Sequence, residues 1–316
     1  MVNKKVVCLG GGVGTANLIK GLKKYFSDIT VVISMADDGG SSGRLRRLYN
    51  IPPPGDLVAC MAALTDRNSN ICKLLSYRFL GDRYGKDTDL PGHKLGNLIM
   101  VALRDITGSF EKAISLFQKT FKIKGKFLPA TLGNVTIYAR TIEGRLIFGE
   151  EKIDLGKYTG KRILDKVFLK PEGAKSNIHA IKSIKEADII IAGPGDLYTT
   201  VLPVLIVKGI KEALKNIKAL KIFIVNVANK PFETKGYSLK DYINSIERHL
   251  SFFPFDKVVV NNNFSVKIPS KYRYQYVSIN DSIKRDIKIV KSDMVDENFA
   301  IYHNPSKLAK TITENI

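Results

Sequence analysis

The chain has no tryptophan, and its three cysteines, Cys8, Cys60 and Cys72, show no paired spacing. That excludes a disulfide framework and a cysteine-based zinc site. No apolar run approaches bilayer length: the longest, "ADIIIAG" and "VLPVLIV", are far too short. The N-terminus "MVNKKVVCLGGG" has no hydrophobic signal core and no cleavage site. A cytoplasmic location without a membrane span is therefore expected. G-x-S-x-G, H-E-x-x-H, C-x-x-C and the kinase signature set are all absent, which removes the usual support for hydrolase, metalloprotease, redox and kinase chemistry. Nor is there a low-complexity tract, a Pro/Ser/Gly linker or an internal repeat. One integrated domain over residues 1–316 is expected.

What the chain has in excess is positive charge. Fifty Lys and Arg oppose 30 Asp and Glu, for a net charge of +20 in 316 residues. The lysines are scattered at spacings that fit solvated helix faces, as in "KGIKEALKNIKALK". No basic arm, zinc finger or RNA-recognition signature accompanies them. The charge is read as attraction for small phosphorylated ligands, with no nucleic acid as partner.

The periodicity indicates an α/β fold. "KKVVCLG" (4–10) reads as a buried strand, residues 14–26 as a helix and 28–38 as a second strand. That is a βαβ unit with parallel strands. The pattern returns at 187–216. Strands at 221–229 and 256–262 flank a helical "SLKDYINSIERHL". The alternation predicts a Rossmann-like, doubly wound, mostly parallel sheet. Residues 133–153 differ: apolar and polar residues alternate around Glu143-Gly144, which predicts a β-hairpin. It belongs to a small excursion placed at about 127–170.

Six motifs stand out, four of them where strands end. "LGGGVGTANL" (9–18) puts Gly11, Gly12, Gly14 and Thr15 between a strand and a helix, where backbone can approach phosphate. It is neither a complete dinucleotide fingerprint nor a Walker A loop. "SMADDGGSSGRLRR" (34–47) follows the second strand. Asp37 and Asp38 there can take a ribose hydroxyl or hold Mg²⁺, and Ser41, Ser42 and Arg44 can take phosphate oxygens. In "NIPPPGDLV", Asp56 is expected to cap a helix. "PGHKLGN" spaces His93 and Asn97 four apart. "AGPGDLYTT" presents Gly193, Gly195, Tyr198 and Thr199, with the Tyr198 ring available for stacking on a base or sugar. "NVANKPFETKGY" adds Asn226, Asn229, Glu233 and Thr234 as a polar rim.

Taken in order, these strings resemble the YvcK/CofD-like family, and most closely its YvcK branch, the gluconeogenesis factors. The match runs from residue 6 to about 312 through "GGGVG", "ADDGGSSGRLR", "PPGD", "GHKLGN", "GPGDLYTTVLP" and "NVANKPFETKGY". The resemblance implies a non-catalytic, cytoplasmic regulator that binds UDP-N-acetylglucosamine or UDP-glucose. It would serve cell shape and peptidoglycan precursor supply during gluconeogenic growth, with an enzyme of amino-sugar synthesis as partner and a homodimer as its assembly. The CofD branch implies an alternative, a Mg²⁺-dependent phospho-lactate-type transferase. Four positions depart from the branch pattern. Val13 replaces a threonine, Val58 an arginine, Asp196 a serine and Tyr302 an arginine.

Overall fold

A computed structural model describes residues 2–66, 69–279, 283 and 286–316. Its centre is a seven-stranded, wholly parallel sheet. In chain order the strands are β1 (Val2–Gly10), β2 (Phe26–Ile33), β3 (Lys126–Pro129), β7 (Ile189–Ala192), β8 (Leu220–Ile224), β10 (Lys257–Asn261) and β12 (Lys288–Ser292). In space they run β12-β10-β8-β7-β1-β2-β3. The chain builds outward from β1 to β3, then returns to the other side of β1 and builds outward again from β7. The order therefore reverses between β1 and β7, and ligands bind at the carboxyl ends of strands at such a reversal.

The inner strands are apolar on both faces because helices cover both. Val7 and Leu9 of β1 pack into one layer, while Val6 and Cys8 pack into the other. Helices α1 (Gly12–Leu22), α3 (Gly55–Leu64), α5 (Leu95–Thr107), α6 (Phe110–Thr120) and α12 (Pro305–Thr313) contribute to the second layer. Gly21 lets α12 lie against α1: a Cβ there would stand 2.0 Å from the Pro305 carbonyl oxygen. Helices α8 (Ile178–Lys185), α9 (Leu202–Leu205), α10 (Lys208–Asn216) and α11 (Leu239–Leu250) form the opposite layer. Helix α11 opens with a capping box in which Ser238 and Asp241 bond each other's backbone N–H.

The predicted hairpin is present as β4 (Thr136–Thr141) and β5 (Leu146–Phe148). A third strand, β6 (Leu164–Lys170), completes an antiparallel sheet β5-β4-β6. Residues 126–129 belong to the large sheet, so the small sheet starts later than the excursion placed at 127–170. Its buried face, with Ile137, Ala139, Ile147 and Val167, joins the main core. Short helix α7 (Glu150–Asp154) leaves β5 toward the carboxyl ends of the main strands. The remaining pieces are α2 (Gly40–Tyr49), α4 (Asn70–Ser76) and a two-stranded pair β9 (Ala228–Asn229) and β11 (Gln275–Tyr276).

Candidate functional site

A cleft of about 270 Å³ lies where the sheet order reverses. One wall is the loop after β1. Gly10 has φ +159° and Gly12 φ +63°, a left-handed conformation that suits glycine at position 12. The first turn of α1 has no acidic residue of its own, but the Asp56 carboxylate comes to it from α3 and accepts the Gly12 N–H. Opposite stands the Gly193-Pro194-Gly195 turn after β7. The two loops nearly touch: a Cβ on Gly14 would come within 2.4 Å of the Pro194 carbonyl oxygen. Thr15 is fully buried between them, accepting from Gly11 N at 2.8 Å and donating to Pro194 O at 3.5 Å. It sets the loop rather than facing the cleft. Asn226 Oδ1 accepts from Gly195 N at 3.0 Å and orients that turn.

Of the residues proposed from sequence, Gly11, Gly12, Gly14, Asp37, Gly195, Thr199 and Asn226 line the cleft. The others are brought close to it but turn elsewhere. Both oxygens of Asp38 accept backbone N–H groups at the start of α7, from Glu150 at 3.0 Å and Glu151 at 2.7 Å. That carboxylate anchors the small sheet. Ser41, in the first turn of α2, makes a buried polar knot with His93 Nδ1 at 3.0 Å and Asn97 Nδ2 at 3.1 Å. Ser42 hydrogen-bonds the Asp37 carboxylate. Gly193 (φ +76°) packs against the Ile224 carbonyl. Tyr198 is fully buried, its hydroxyl 2.8 Å from that of Tyr237, so its ring is not available for stacking. Asn229 and Thr234 hold the Tyr242 hydroxyl, at 3.1 and 3.2 Å.

Arg44 is the largest displacement. It is 1% exposed, and its guanidinium donates to the carbonyls of Asp82, Lys86, Asp89 and Pro91. It folds the loop 77–94 instead of meeting phosphate. That loop carries Arg83 and Tyr84 into the cleft. Arg83 lies over Gly40, where a Cβ would meet its side chain, and the φ of +48° there also favours glycine. An arginine does reach the site, but it is one that the motifs did not single out.

Asp56 is the second residue that the sequence placed differently. The N-cap of α3 is Pro54, and Asp56 sits in the first turn without capping it. Its carboxylate reaches the glycine loop: a Cβ on Gly11 would stand 2.4 Å from Asp56 Oδ2. Burial and the charge of Asp37 push Asp56 up to about 7. Burial raises Asp37 as well, against hydrogen bonds from Gly39 and Ser42. Burial and the neighbouring Asp37 raise Glu150 on α7. Two buried acids at the glycine loop of a cleft suit a divalent cation, which prefers carboxylate oxygens and would relieve their repulsion. Asp37 and Asp56 fit that role. Asp38 does not, because its oxygens are already bonded to α7.

A third cluster stands across the cleft. Asp154, Asp196 and Glu233 bring carboxylate oxygens within 4.8 Å of one another. The Lys230 ammonium fills the centre, bonded to Asp154, 2.7 Å from Asp196 and 3.7 Å from Glu233. A built-in cation thus occupies what would otherwise be a metal site. Burial still pushes Glu233 up to about 8. Lys230 lies inside "NVANKPFETKGY", one residue after the Asn229 chosen from that string. Tyr274, Tyr302 and His303 close the cleft on this side. Of the four departures, Val58 is 1% exposed and packs into the core, whereas Val13, Asp196 and Tyr302 line the cleft. A larger hollow of about 630 Å³ lies against edge strand β3 and helix α6. It has no glycine loop and no strand carboxyl ends converging on it.

The chain belongs to the CofD family: the family model described as 2-phospho-L-lactate transferase CofD matches residues 6–300. It is 38% identical over 301 residues to the gluconeogenesis factor of Bacillus subtilis, covering 95% of this chain and 92% of that protein. It is 35% identical over 321 residues to the gluconeogenesis factor of Halalkalibacterium halodurans, covering 99% and 97%. A crystal structure of a Bacillus halodurans protein superposes with a TM-score of 0.89 at 34% identity, covering 99% of this chain and all of the other. A second structure, described as a member of the UPF0052 family from that organism, gives 0.88 at 34% identity and covers 99% of each chain. The fold read from the sequence and the family it resembles are both established. Among the described residues no helix is long and apolar enough to cross a membrane.

Proposed function

We propose that this CofD-family chain is a cytoplasmic receptor for a nucleoside-diphosphate sugar of the UDP-N-acetylglucosamine or UDP-glucose class. In this reading it binds the sugar nucleotide without turning it over. It reports precursor supply to an enzyme of amino-sugar synthesis, and so supports cell shape and peptidoglycan synthesis during gluconeogenic growth. The observation that carries the ligand class is the glycine loop Gly11, Gly12 and Gly14 at the start of α1, which lines the cleft at the reversal of the sheet order. The positive end of the α1 dipole, with Arg83 across the cleft, suits a diphosphate. The regulatory role rests on the gluconeogenesis factors that the chain resembles.

Asp37 and Asp56 favour a second reading, a Mg²⁺-assisted transferase of a phosphorylated group. Asp37 and Asp56 would hold the cation, which would supply charge neutralisation for phosphate oxygens. Buried acids with raised pKa mark candidate active sites. Calorimetric titration with UDP-N-acetylglucosamine, UDP-glucose and GTP, each with and without Mg²⁺, separates the two. Selective binding of a UDP-sugar that survives incubation intact supports the receptor. Consumption of a nucleoside-diphosphate-activated phospho-acid would replace it with the transferase. Failure of every UDP-sugar to bind would remove the receptor reading.

A further inference from the structure

Tyr198, the ring that the sequence offered for stacking, is buried away from the cleft. Among the described residues three other tyrosines line it: Tyr84, Tyr274 and Tyr302. The Tyr84 ring already carries two cations, Arg83 at 5.5 Å and Lys157 at 5.1 Å from its centroid. Tyr302 is different. Phe299 stacks on it, with ring centroids 5.7 Å apart and planes at 21°. Tyr272 leans on Phe299 in turn, at 5.9 Å. A short aromatic column thus runs from the surface, where Phe299 is 46% exposed, to the half-buried Tyr302 ring at the cleft wall. Among the described residues Phe299 alone stacks on Tyr302 and no cation stands over its ring, which leaves a face for a ligand.

The column is held from both sides. The Tyr302 N–H donates to the Phe299 carbonyl at 2.9 Å, and the Tyr302 carbonyl accepts from Asp296 N at 3.0 Å. Asp296 Oδ1 accepts from the backbone N–H groups of Asn298 and Phe299, at 2.9 and 3.2 Å. On the far side of the turn, Val295 and Ala300 pack with Val227 in a small buried cluster, and His303 bridges to Val295. A ring placed in this way loses little freedom when a ligand meets it.

The surroundings indicate which part of a ligand that is. Val227, Ala228 and Ile301 line the cleft with Tyr302 and are apolar. A diphosphate has no flat face to stack and is served by the glycine loop and Arg83. Sugar hydroxyls need hydrogen-bond partners, and Glu150 and Glu151 of α7 line the cleft with acceptors. A nucleobase is flat and unsaturated, and stacking on an aromatic ring between apolar walls suits it.

We propose that Tyr302 is a base-binding residue: the nucleobase of the ligand stacks on its ring and extends the Tyr272–Phe299–Tyr302 column into the cleft. This rests on the nucleoside-diphosphate-sugar reading of the same cleft.

The test uses the absence of tryptophan from the chain. Tyr302→Trp keeps a stacking surface and places a single fluorophore at the proposed platform. UDP and UDP-N-acetylglucosamine should each quench its emission, with a midpoint at the Kd measured by calorimetry. Calorimetric titration of Tyr302→Leu should show both ligands bound about tenfold more weakly or worse, because loss of a base–aromatic stack costs at least that much. Tyr302→Phe, which keeps the ring, should bind like wild type. Unchanged affinity of Tyr302→Leu for both ligands overturns the proposal and leaves the receptor reading standing. Weakening with UDP-N-acetylglucosamine but not with UDP also overturns it, since the ring would then hold the sugar. Should the leucine variant not fold, the fluorescence decides: unchanged emission of Tyr302→Trp in a complex that calorimetry shows to be saturated overturns the proposal. If wild type binds neither ligand, the receptor reading fails and this inference falls with it.

Discussion

The Lys230 ammonium stands 2.7 Å from Asp196 Oδ2, between the turn after β7 and helix α7, which contributes Asp154. One cation therefore joins three segments that are distant in sequence. Around the cleft, Asp37, Asp56, Glu150, Glu151, Asp154 and Asp196 oppose only Arg83 and Lys230. The site is acidic inside a strongly basic chain. Its charge balance, rather than the net charge, decides what an anionic ligand must bring with it.

Replacing Lys230 with Met should cost about 3–5 kcal/mol, because it leaves buried carboxylates without a counter-charge. Those carboxylates would hold their protons more tightly folded than unfolded. The folded state then binds more protons, and stability falls as pH rises. Thermal melting at pH 5.5 and pH 8 should show the larger deficit at pH 8. Millimolar Mn²⁺ should restore part of it in the variant and do nothing at this cluster in the wild type. An equal deficit at both pH values would exclude the counter-charge role.

Arg44→Ala should destabilise the loop 77–94 rather than remove a phosphate contact. The four carbonyls that Arg44 satisfies lose their donor, and a planar fork is needed to reach them together, so Arg44→Lys should not rescue it. Limited proteolysis should cut within 77–94 much faster in both variants. Ligand affinity should fall through misplacement of Arg83. Arg83→Ala should reproduce that fall while leaving proteolysis at the wild-type rate.

The fold was legible because buried parallel strands are apolar on both faces and end in glycine, as β1 and β7 do. Edge strand β12 (KIVKS) was missed because its lysines mask the pattern. The glycine loop, Asp37, Thr199 and Asn226 were legible in the site because they stand next to strand ends. Arg44 misled because density of charge in a motif does not say which way a side chain turns, and its partners lie 38 to 47 residues away. Lys230 and Arg83 were passed over because a single cation in a lysine-rich chain carries no local signal. Asp56 looks like a helix cap from composition, and only the packing of α3 beside the Gly11 loop shows otherwise.

Gly14→Ala tests the contact between the two glycine turns. Its Cβ would meet the Pro194 carbonyl oxygen at 2.4 Å, backbone against backbone, so neither partner can rotate away. Overpacking of this kind costs about 1–3 kcal/mol. The displaced helix start should also weaken ligand binding by more than tenfold. Gly108→Ala is the control: it has open space around it but a φ of +66°, so it should lose stability with ligand affinity intact. Equal ligand affinity in Gly14→Ala and wild type would show that the first turn of α1 does not touch the ligand.

Asp56→Asn tests the acidic floor of the cleft. Asp56 is raised from 3.8 to about 7 by burial first and by the Asp37 charge second. A carboxyl with a raised folded pKa binds its proton more tightly in the folded state. Its stabilising effect is complete below the unfolded pKa and is lost as pH climbs through about 7. Wild type should therefore lose melting temperature between pH 5 and pH 8, whereas the asparagine variant should lose less, so that it gains on wild type as pH rises. Mg²⁺ at pH 8 should raise the wild-type melting temperature by neutralising the ionised Asp37 and Asp56, and at pH 6, where Asp56 still holds its proton, binding should release that proton, measurable by buffer-dependent calorimetry. The asparagine variant should show neither effect. A Mg²⁺ response that persists in Asp56→Asn would move the cation away from this pair and leave Asp56 as a proton-holding wall of the cleft.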